Sequence, residues 1–107
     1  MNNIKICVIG LGYVGLPLAL EFGKKFQTIG FDINKNRVHQ LKNFIDINND
    51  LNKNEIKNSK KISFYSNFDK IDKSSIYIVT VPTPVKKNNQ PDLSLVLNAC
   101  NLIAKII

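Results

Sequence analysis

Apolar and polar residues follow one another along the chain in blocks that predict alternating strands and helices. Lys5–Ile9 is apolar, rich in β-branched residues and followed by glycine, which is typical of a strand buried on both faces of a parallel sheet. We expect a helix over residues 14–25 and a second short strand over 28–31. The chain thus begins with a strand, a helix and a strand.

The rest of the sequence continues this alternation less regularly. Residues 34–43 predict a short helix, whereas 46–61 is rich in Asn and Lys and predicts either a loop or a weak helix. Two further strands are expected at 62–65 and 76–81, and a last helix from 92 to the end.

Such an order predicts an α/β fold, a Rossmann-like doubly wound parallel sheet with strand order 3-2-1-4. The remaining strands of a full dinucleotide-binding sheet are expected beyond this truncated domain. A chain of 107 residues suits one domain, so we expect 1–107 to be the N-terminal part of a nucleotide-binding domain, with substrate and catalytic domains absent.

The charge and cysteine content change this picture little. A net charge of +7 raises the question of a nucleic-acid partner, but the lysines are scattered and Arg37 is the only arginine, so none is expected. Cys7 and Cys100 have no metal-ligand spacing, which favours a reducing cytoplasm. The uncharged run 6–20 contains three Gly and a Pro and is too short to span a bilayer, so no membrane segment is expected.

A glycine-rich motif, GxGxxG, follows the first strand directly. Gly10 permits a tight turn, Gly12 lets a pyrophosphate approach the backbone, and Gly15 lets the next helix pack closely against the strand. The N–H groups around Tyr13 and Val14, at a helix N-terminus, favour phosphate. These features predict a dinucleotide site; a tight turn without a ligand is the alternative.

Asp32, at the end of the second strand, is the expected acceptor for the ribose hydroxyls of the dinucleotide. Its carboxylate would repel a 2′-phosphate, so NAD is predicted ahead of NADP. Lys35 and Arg37 leave NADP open, because a cation after this strand can accommodate the additional phosphate. Arg37 could instead stack on adenine or hold Asp32 in place, and Asp32 could simply cap the next helix.

A second cofactor contact is expected where the fourth strand ends, since ligands bind at the carboxyl ends of strands beside the switch point. This place is occupied by Thr80, Val81, Pro82, Thr83 and Pro84, and Thr83 offers a hydroxyl between two prolines. A rigid turn without a ligand is the alternative here.

Four segments together resemble one protein family: VIGLGYVGLPLALEF, GFDINKNRV, IVTVPTP and QPDLS. They are similar to the N-terminal NAD-binding domain of the UDP-glucose/GDP-mannose dehydrogenase family, and the similarity covers essentially the whole chain. The stretch VTVPTPV through QPDLSLV most resembles the branch acting on UDP-N-acetylhexosamines.

This resemblance implies a cytoplasmic enzyme that oxidises the primary alcohol of a nucleotide sugar to a carboxylate with two NAD, for surface polysaccharide. UDP-N-acetylglucosamine, UDP-N-acetylgalactosamine and UDP-glucose are the implied substrate types. The family's catalytic cysteine lies in a downstream domain, so no catalytic residue is expected in this chain. A homo-oligomer is implied for the full-length protein.

Carried over by position, the resemblance assigns phosphate contacts to Tyr13 and Val14, the ribose acceptor to Asp32, the basic residue near the adenosine to Arg37, and the nicotinamide-side threonine to Thr83.

The chain departs from the family after the second helix, where an Asp, Thr, Glu pattern is replaced by Asp46, Asn48 and Asp50. Two other functions stay open. One is a β-hydroxyacid dehydrogenase cofactor domain, although such proteins typically carry Met where Val14 stands. The other is a non-catalytic nucleotide- or nucleic-acid-binding module.

Overall fold

Four parallel strands form a sheet in the computed structural model, which describes residues 4–46, 52–71, 73–82 and 86–105. They are β1 (Lys5–Ile9), β2 (Gln27–Phe31), β3 (Ile62–Tyr65) and β4 (Ile76–Val79). Their order across the sheet is β3-β2-β1-β4, and each neighbouring pair is parallel. The predicted fold class and strand order are confirmed.

Helices connect these strands on both faces of the sheet. They are α1 (Gly15–Phe22), α2 (Lys35–Lys42), α3 (Lys53–Lys57) and α4 (Ser94–Ala104), and a single 3₁₀ turn spans Phe68–Lys70. The sheet is therefore doubly wound, with a crossover between each pair of parallel strands.

Several elements are shorter than the sequence pattern predicts. Helix α1 ends at Phe22 rather than at residue 25. Gly23 is its C-cap, and the next two N–H groups, of Lys24 and Lys25, donate to carbonyl oxygens three residues back instead of four. Strand β4 stops at Val79, two residues early. Helix α4 begins at Ser94 rather than at 92.

Polar side chains accept backbone N–H groups at the start of two helices, α4 and α3. The Asp92 carboxylate accepts the N–H of Ser94 at 3.0 Å, and this hydrogen bond lowers the pKa of Asp92. Asn52 caps α3 by accepting the N–H of Glu55 at 3.0 Å. The segment 46–61, predicted as a loop or weak helix, has the short helix α3 in its described part.

β1 lies at the centre of the sheet and is covered on both faces. Ile6 and Val8 pack in one apolar cluster with residues of α1, α2 and β3, whereas Cys7 and Ile9 face a second cluster. The second cluster includes Phe31 and Phe68, whose rings meet edge to face with centroids 5.0 Å apart. Burial on both sides explains the continuous apolar run of this strand.

The carboxyl ends of β1, β2 and β4 meet at one edge of the sheet. The N–H of Gly10, after β1, donates to the carbonyl oxygen of Phe31 at 2.8 Å, and the N–H of Thr80, after β4, donates to that of Ile9 at 2.8 Å. Asp32 follows β2 directly. The parallel register therefore brings the glycine loop, Asp32 and the end of β4 together.

Candidate functional site

The glycine loop makes a sharp turn whose shape depends on two of its glycines. Gly10 has φ of 100°, in the region that favours glycine, and a Cβ there would lie 3.0 Å from the backbone of Thr80 and Val81. A Cβ on Gly15 would overlap the carbonyl oxygen of Gly10 and the hydroxyl of Thr80. Side chains are thus excluded at both positions by neighbouring atoms of the protein itself.

Gly12 differs, because a Cβ there would meet no atom within 4 Å. The next two residues, Tyr13 and Val14, are 73% and 68% exposed and precede the first turn of α1. That turn has no side-chain cap and no acidic residue. Open space above Gly12 beside a helix N-terminus fits an anionic group such as a pyrophosphate.

Asp32 is joined to the glycine loop by its side chain. Its Oδ2 accepts the N–H of Leu11 at 2.9 Å, and its Oδ1 accepts the N–H of Asn34 at 2.9 Å. A carboxylate has about four lone-pair sites, so each oxygen keeps capacity for a further donor. The residue is half-buried, and its carboxylate is therefore fixed in direction while it remains able to accept hydroxyl groups.

Arg37 is buried, with only 7% of the residue exposed. Its Nε donates to the carbonyl oxygen of Leu11 at 2.9 Å, and its Nη1 forms an ion pair of 2.7 Å with Oδ1 of Asp46. The side chain of Asp46 is 2% exposed. The contacts described for Arg37 thus hold the glycine loop through Leu11, whereas the sequence suggested contacts with Asp32 or with adenine.

Two recesses flank Asp32. The polar recess, about 430 Å³, is lined by Leu11, Gly12, Asp32, Asn34, Asn36, Arg37 and Gln40. The apolar recess, about 200 Å³, lies between the strand ends and α4 and is lined by Ile9, Gly10, Phe31, Asp32, Ile33, Val81, Pro82, Leu95, Asn98, Ala99 and Leu102. A polar and an apolar compartment joined at one carboxylate suit a ligand that has both sugar hydroxyls and a flat ring.

Val81 and Pro82, predicted as cofactor contacts, line the apolar recess. Thr83 lies outside the described residues, as do Asn48 and Asp50.

Thr80, the first of the residues expected beside the cofactor, has a structural role that the sequence did not predict. Its hydroxyl donates to the carbonyl oxygen of Gly10 at 2.7 Å and lies 3.2 Å from that of Ile9. It therefore fastens the end of β4 to the start of the glycine loop. Only its position near the end of a predicted strand, beside the glycine turn, could have indicated this role.

Two other site types find no support in the part of the chain that the structure describes. No group of three His, Cys, Asp or Glu side chains there could hold a metal ion. Among the same residues, no helix has the length and apolar character needed to cross a bilayer.

Burial raises the pKa of the Cys7 thiol to about 12, so this cysteine is a poor nucleophile.

Comparison with known families gives one match along nearly the whole chain. Residues 4–107 match the model of the UDP-glucose/GDP-mannose dehydrogenase family, NAD binding domain. The chain is 43% identical over 107 residues to a UDP-N-acetyl-D-glucosamine 6-dehydrogenase of Salmonella typhi, and 44% identical over 107 residues to one of Pseudomonas aeruginosa. All of this chain is aligned in both cases, but only 25% of each relative.

Solved structures give the same result at lower sequence identity. A UDP-D-ManNAc dehydrogenase from Pyrococcus horikoshii superimposes with a TM-score of 0.87 at 26% identity, over 97% of this chain and 26% of that one. The UDP-N-acetyl-mannosamine dehydrogenase Cap5O from Staphylococcus aureus gives 0.81 at 28% identity, over 96% and 26%. The chain thus spans about a quarter of the length of the proteins that it matches.

Proposed function

The chain belongs to the UDP-glucose/GDP-mannose dehydrogenase family and corresponds to its NAD-binding domain, and on this premise we propose that it is the cofactor-binding part of a UDP-sugar 6-dehydrogenase. The proposed substrate is a UDP-N-acetylhexosamine, in accord with the names of its relatives from Salmonella typhi and Pseudomonas aeruginosa. Oxidation of a primary alcohol to a carboxylate removes two hydrides and adds the oxygen of one water, so it consumes two NAD.

The observation that carries this proposal is the hydrogen bond from the N–H of Leu11 to the carboxylate of Asp32. It holds a carboxylate at the mouth of the glycine loop, where ribose hydroxyls need an acceptor, and it leaves Gly12 open to the pyrophosphate. Bound NAD supplies the hydride acceptor. This chain's residues bind and orient the dinucleotide, and we assign no catalytic residue among them.

We propose a contact for each part of the cofactor. Gly10, Gly12 and Gly15 shape the loop, and the N–H groups around Tyr13 and Val14 receive the pyrophosphate, since α1 begins there without a side-chain cap. Asp32 accepts the ribose hydroxyls. Val81, Pro82 and the rest of the apolar recess receive the adenine ring, and Thr83 lies toward the nicotinamide. Arg37 supports the loop.

We propose that substrate binding and catalysis belong to further domains of a longer protein, since the chain covers 25% of each of these relatives. We propose that the longer protein is a cytoplasmic homo-oligomer that makes precursors of surface polysaccharide. No nucleic-acid partner is proposed, because the lysines are scattered along the chain.

Calorimetric titration of the chain with NAD tests the cofactor assignment. We expect weak binding and no turnover of a UDP-sugar by the chain alone. Asp32→Ala should weaken binding at least about tenfold, since a carboxylate that accepts ribose hydroxyls contributes a charge-assisted hydrogen bond. Glu21→Ala, at the far end of α1, is the matched control, because its carboxylate is exposed and pairs with the exposed Lys24.

A folded wild-type chain that gives no heat with millimolar NAD would overturn the assignment. Equal loss of affinity in both variants would show that Asp32 acts only through charge. Assaying the longer protein with UDP-N-acetylhexosamines, UDP-glucose and β-hydroxyacids then tests the substrate class.

A further inference from the structure

The buried ion pair of Arg37 and Asp46 has a consequence for the choice between NAD and NADP. Both NAD-type and NADP-type sites place their selective residues just after the second strand, where a carboxylate favours free hydroxyls and a cation favours a 2′-phosphate. This chain has both, because Asp32 and Arg37 line the same polar recess. The presence of an arginine alone therefore does not decide the preference.

The geometry decides what the arginine is able to do. Nε of Arg37 donates to the carbonyl oxygen of Leu11, and Nη1 lies 2.7 Å from Asp46. Both side chains of the pair are almost fully buried, at 8% and 2% exposure. A buried cation bound to a buried carboxylate is strongly held, since separating the two would leave an unpaired charge away from water.

We propose that Asp46 is a specificity-determining residue that selects NAD by holding the guanidinium of Arg37 away from the ribose and by cancelling its charge. Asp32, Arg37 and Asp46 together leave one net negative charge beside the polar recess. A 2′-phosphate carries a charge of about −1.5 to −2, so it meets repulsion that the guanidinium of Arg37, bound to Asp46, does not offset. This inference rests on the proposed dinucleotide function.

Asp46→Asn tests the proposal because it removes the negative charge and keeps the shape of the side chain. We expect the ratio of the dissociation constants for NADP and NAD to fall about tenfold, the usual scale for one unit charge near a partly buried site. Glu21→Gln is the matched control, with the same change in net charge on an exposed side chain at the end of α1. An equal ratio in the two variants overturns the proposal.

The double variant Arg37→Met/Asp46→Asn removes both charges of the pair. Its ratio should return to the wild-type value, even where both affinities fall because the loop has lost its support at Leu11. A ratio that stays as low as in Asp46→Asn overturns the proposal, because the shift would then not need the charge of Arg37.

A measurement without any dinucleotide separates this inference from the proposed function. Arg37 is the only arginine in the sequence, so its Nε–H gives a single unambiguous signal in a ¹⁵N NMR spectrum. We expect slow solvent exchange of this proton in the wild type and in Glu21→Gln, and faster exchange in Asp46→Asn. Free exchange in the wild type overturns the inference, whether or not NAD binds.

Absence of NAD binding with a protected Nε–H overturns the proposed function while it leaves the described pair intact. If the Asp46→Asn variant is unfolded without a ligand, circular dichroism measures how far equal millimolar concentrations of NAD and of NADP refold it. Refolding by NADP in preference to NAD supports the inference, and any other result overturns it.

Discussion

The hydroxyl of Thr80 donates a hydrogen bond of 2.7 Å to the carbonyl oxygen of Gly10, across 70 residues of sequence. The two residues directly follow neighbouring parallel strands, β4 and β1, and the hydrogen bond lies beneath the start of α1. It closes the glycine loop on the side opposite to Leu11, which is held by Asp32 and Arg37. The loop is thus fixed from both sides before any ligand binds.

Replacing Thr80 with Val should destabilise the fold by about 1–2 kcal/mol, because the half-buried carbonyl oxygen of Gly10 loses a donor. Thr80→Ser keeps the hydroxyl and should cost less. Urea unfolding measures both free energies of unfolding. Equal stability of the two variants would show that the hydroxyl contributes nothing to the fold.

Gly15→Ala should destabilise the chain by about 1–3 kcal/mol, the usual cost of forcing an additional methyl group into a closed site. The new Cβ would overlap the carbonyl oxygen of Gly10 and the hydroxyl of Thr80, so the start of α1 must shift. Thermal unfolding followed by circular dichroism measures the loss. An unchanged melting temperature would contradict the close packing described for this helix.

Gly12→Ala should behave in the opposite way. Its Cβ meets nothing within 4 Å, so the free energy of unfolding should stay within about 1 kcal/mol of wild type. NAD affinity should nevertheless fall about tenfold or more, because the methyl group occupies the space assigned to the pyrophosphate. Calorimetry on the folded variant measures this. If the variant binds NAD as tightly as the wild type does, the pyrophosphate does not bind in the space above Gly12.

The two cysteines should differ in reactivity and in their effect on stability at high pH. Cys100 is exposed on α4, whereas burial raises the pKa of Cys7 from 9.0 to about 12. At pH 8 a thiol reagent should label Cys100 alone, and Cys7 only after unfolding. Mass spectrometry of the labelled chain checks this, and rapid double labelling of the folded chain would contradict the burial of β1.

The sign of the pH effect follows from the direction of this shift. The folded chain keeps the Cys7 proton between pH 9.0 and about 12, where the unfolded chain loses it. Stability should therefore fall as pH rises above 9.0, by about 1.4 kcal/mol per unit from this group. Other groups titrate in the same range, so the slope is compared with that of Cys7→Ala, which should be shallower.

Much of the fold could be predicted from local pattern. The apolar run of β1, the glycine motif after it and the position of Asp32 after β2 depend on short stretches of sequence, and parallel connectivity limits the strand order to few choices. Boundaries were less accurate: α1 ends at Phe22, and the N–H groups of Lys24 and Lys25 form tighter turns with carbonyl oxygens three residues back. Gly23 itself keeps helical φ and ψ, so no propensity sum marks the end of this helix.

The sequence by itself determined that this chain is a Rossmann-like domain with a glycine loop and an acidic residue in register for a dinucleotide. Only the tertiary structure decided that Arg37 supports Leu11 and pairs with Asp46, and that Thr80 holds Gly10. A hydrogen bond between residues 26 or 70 positions apart exists only once the sheet has formed. Local patterns fix which elements form, whereas the partner of a buried polar group is set by what packing places beside it.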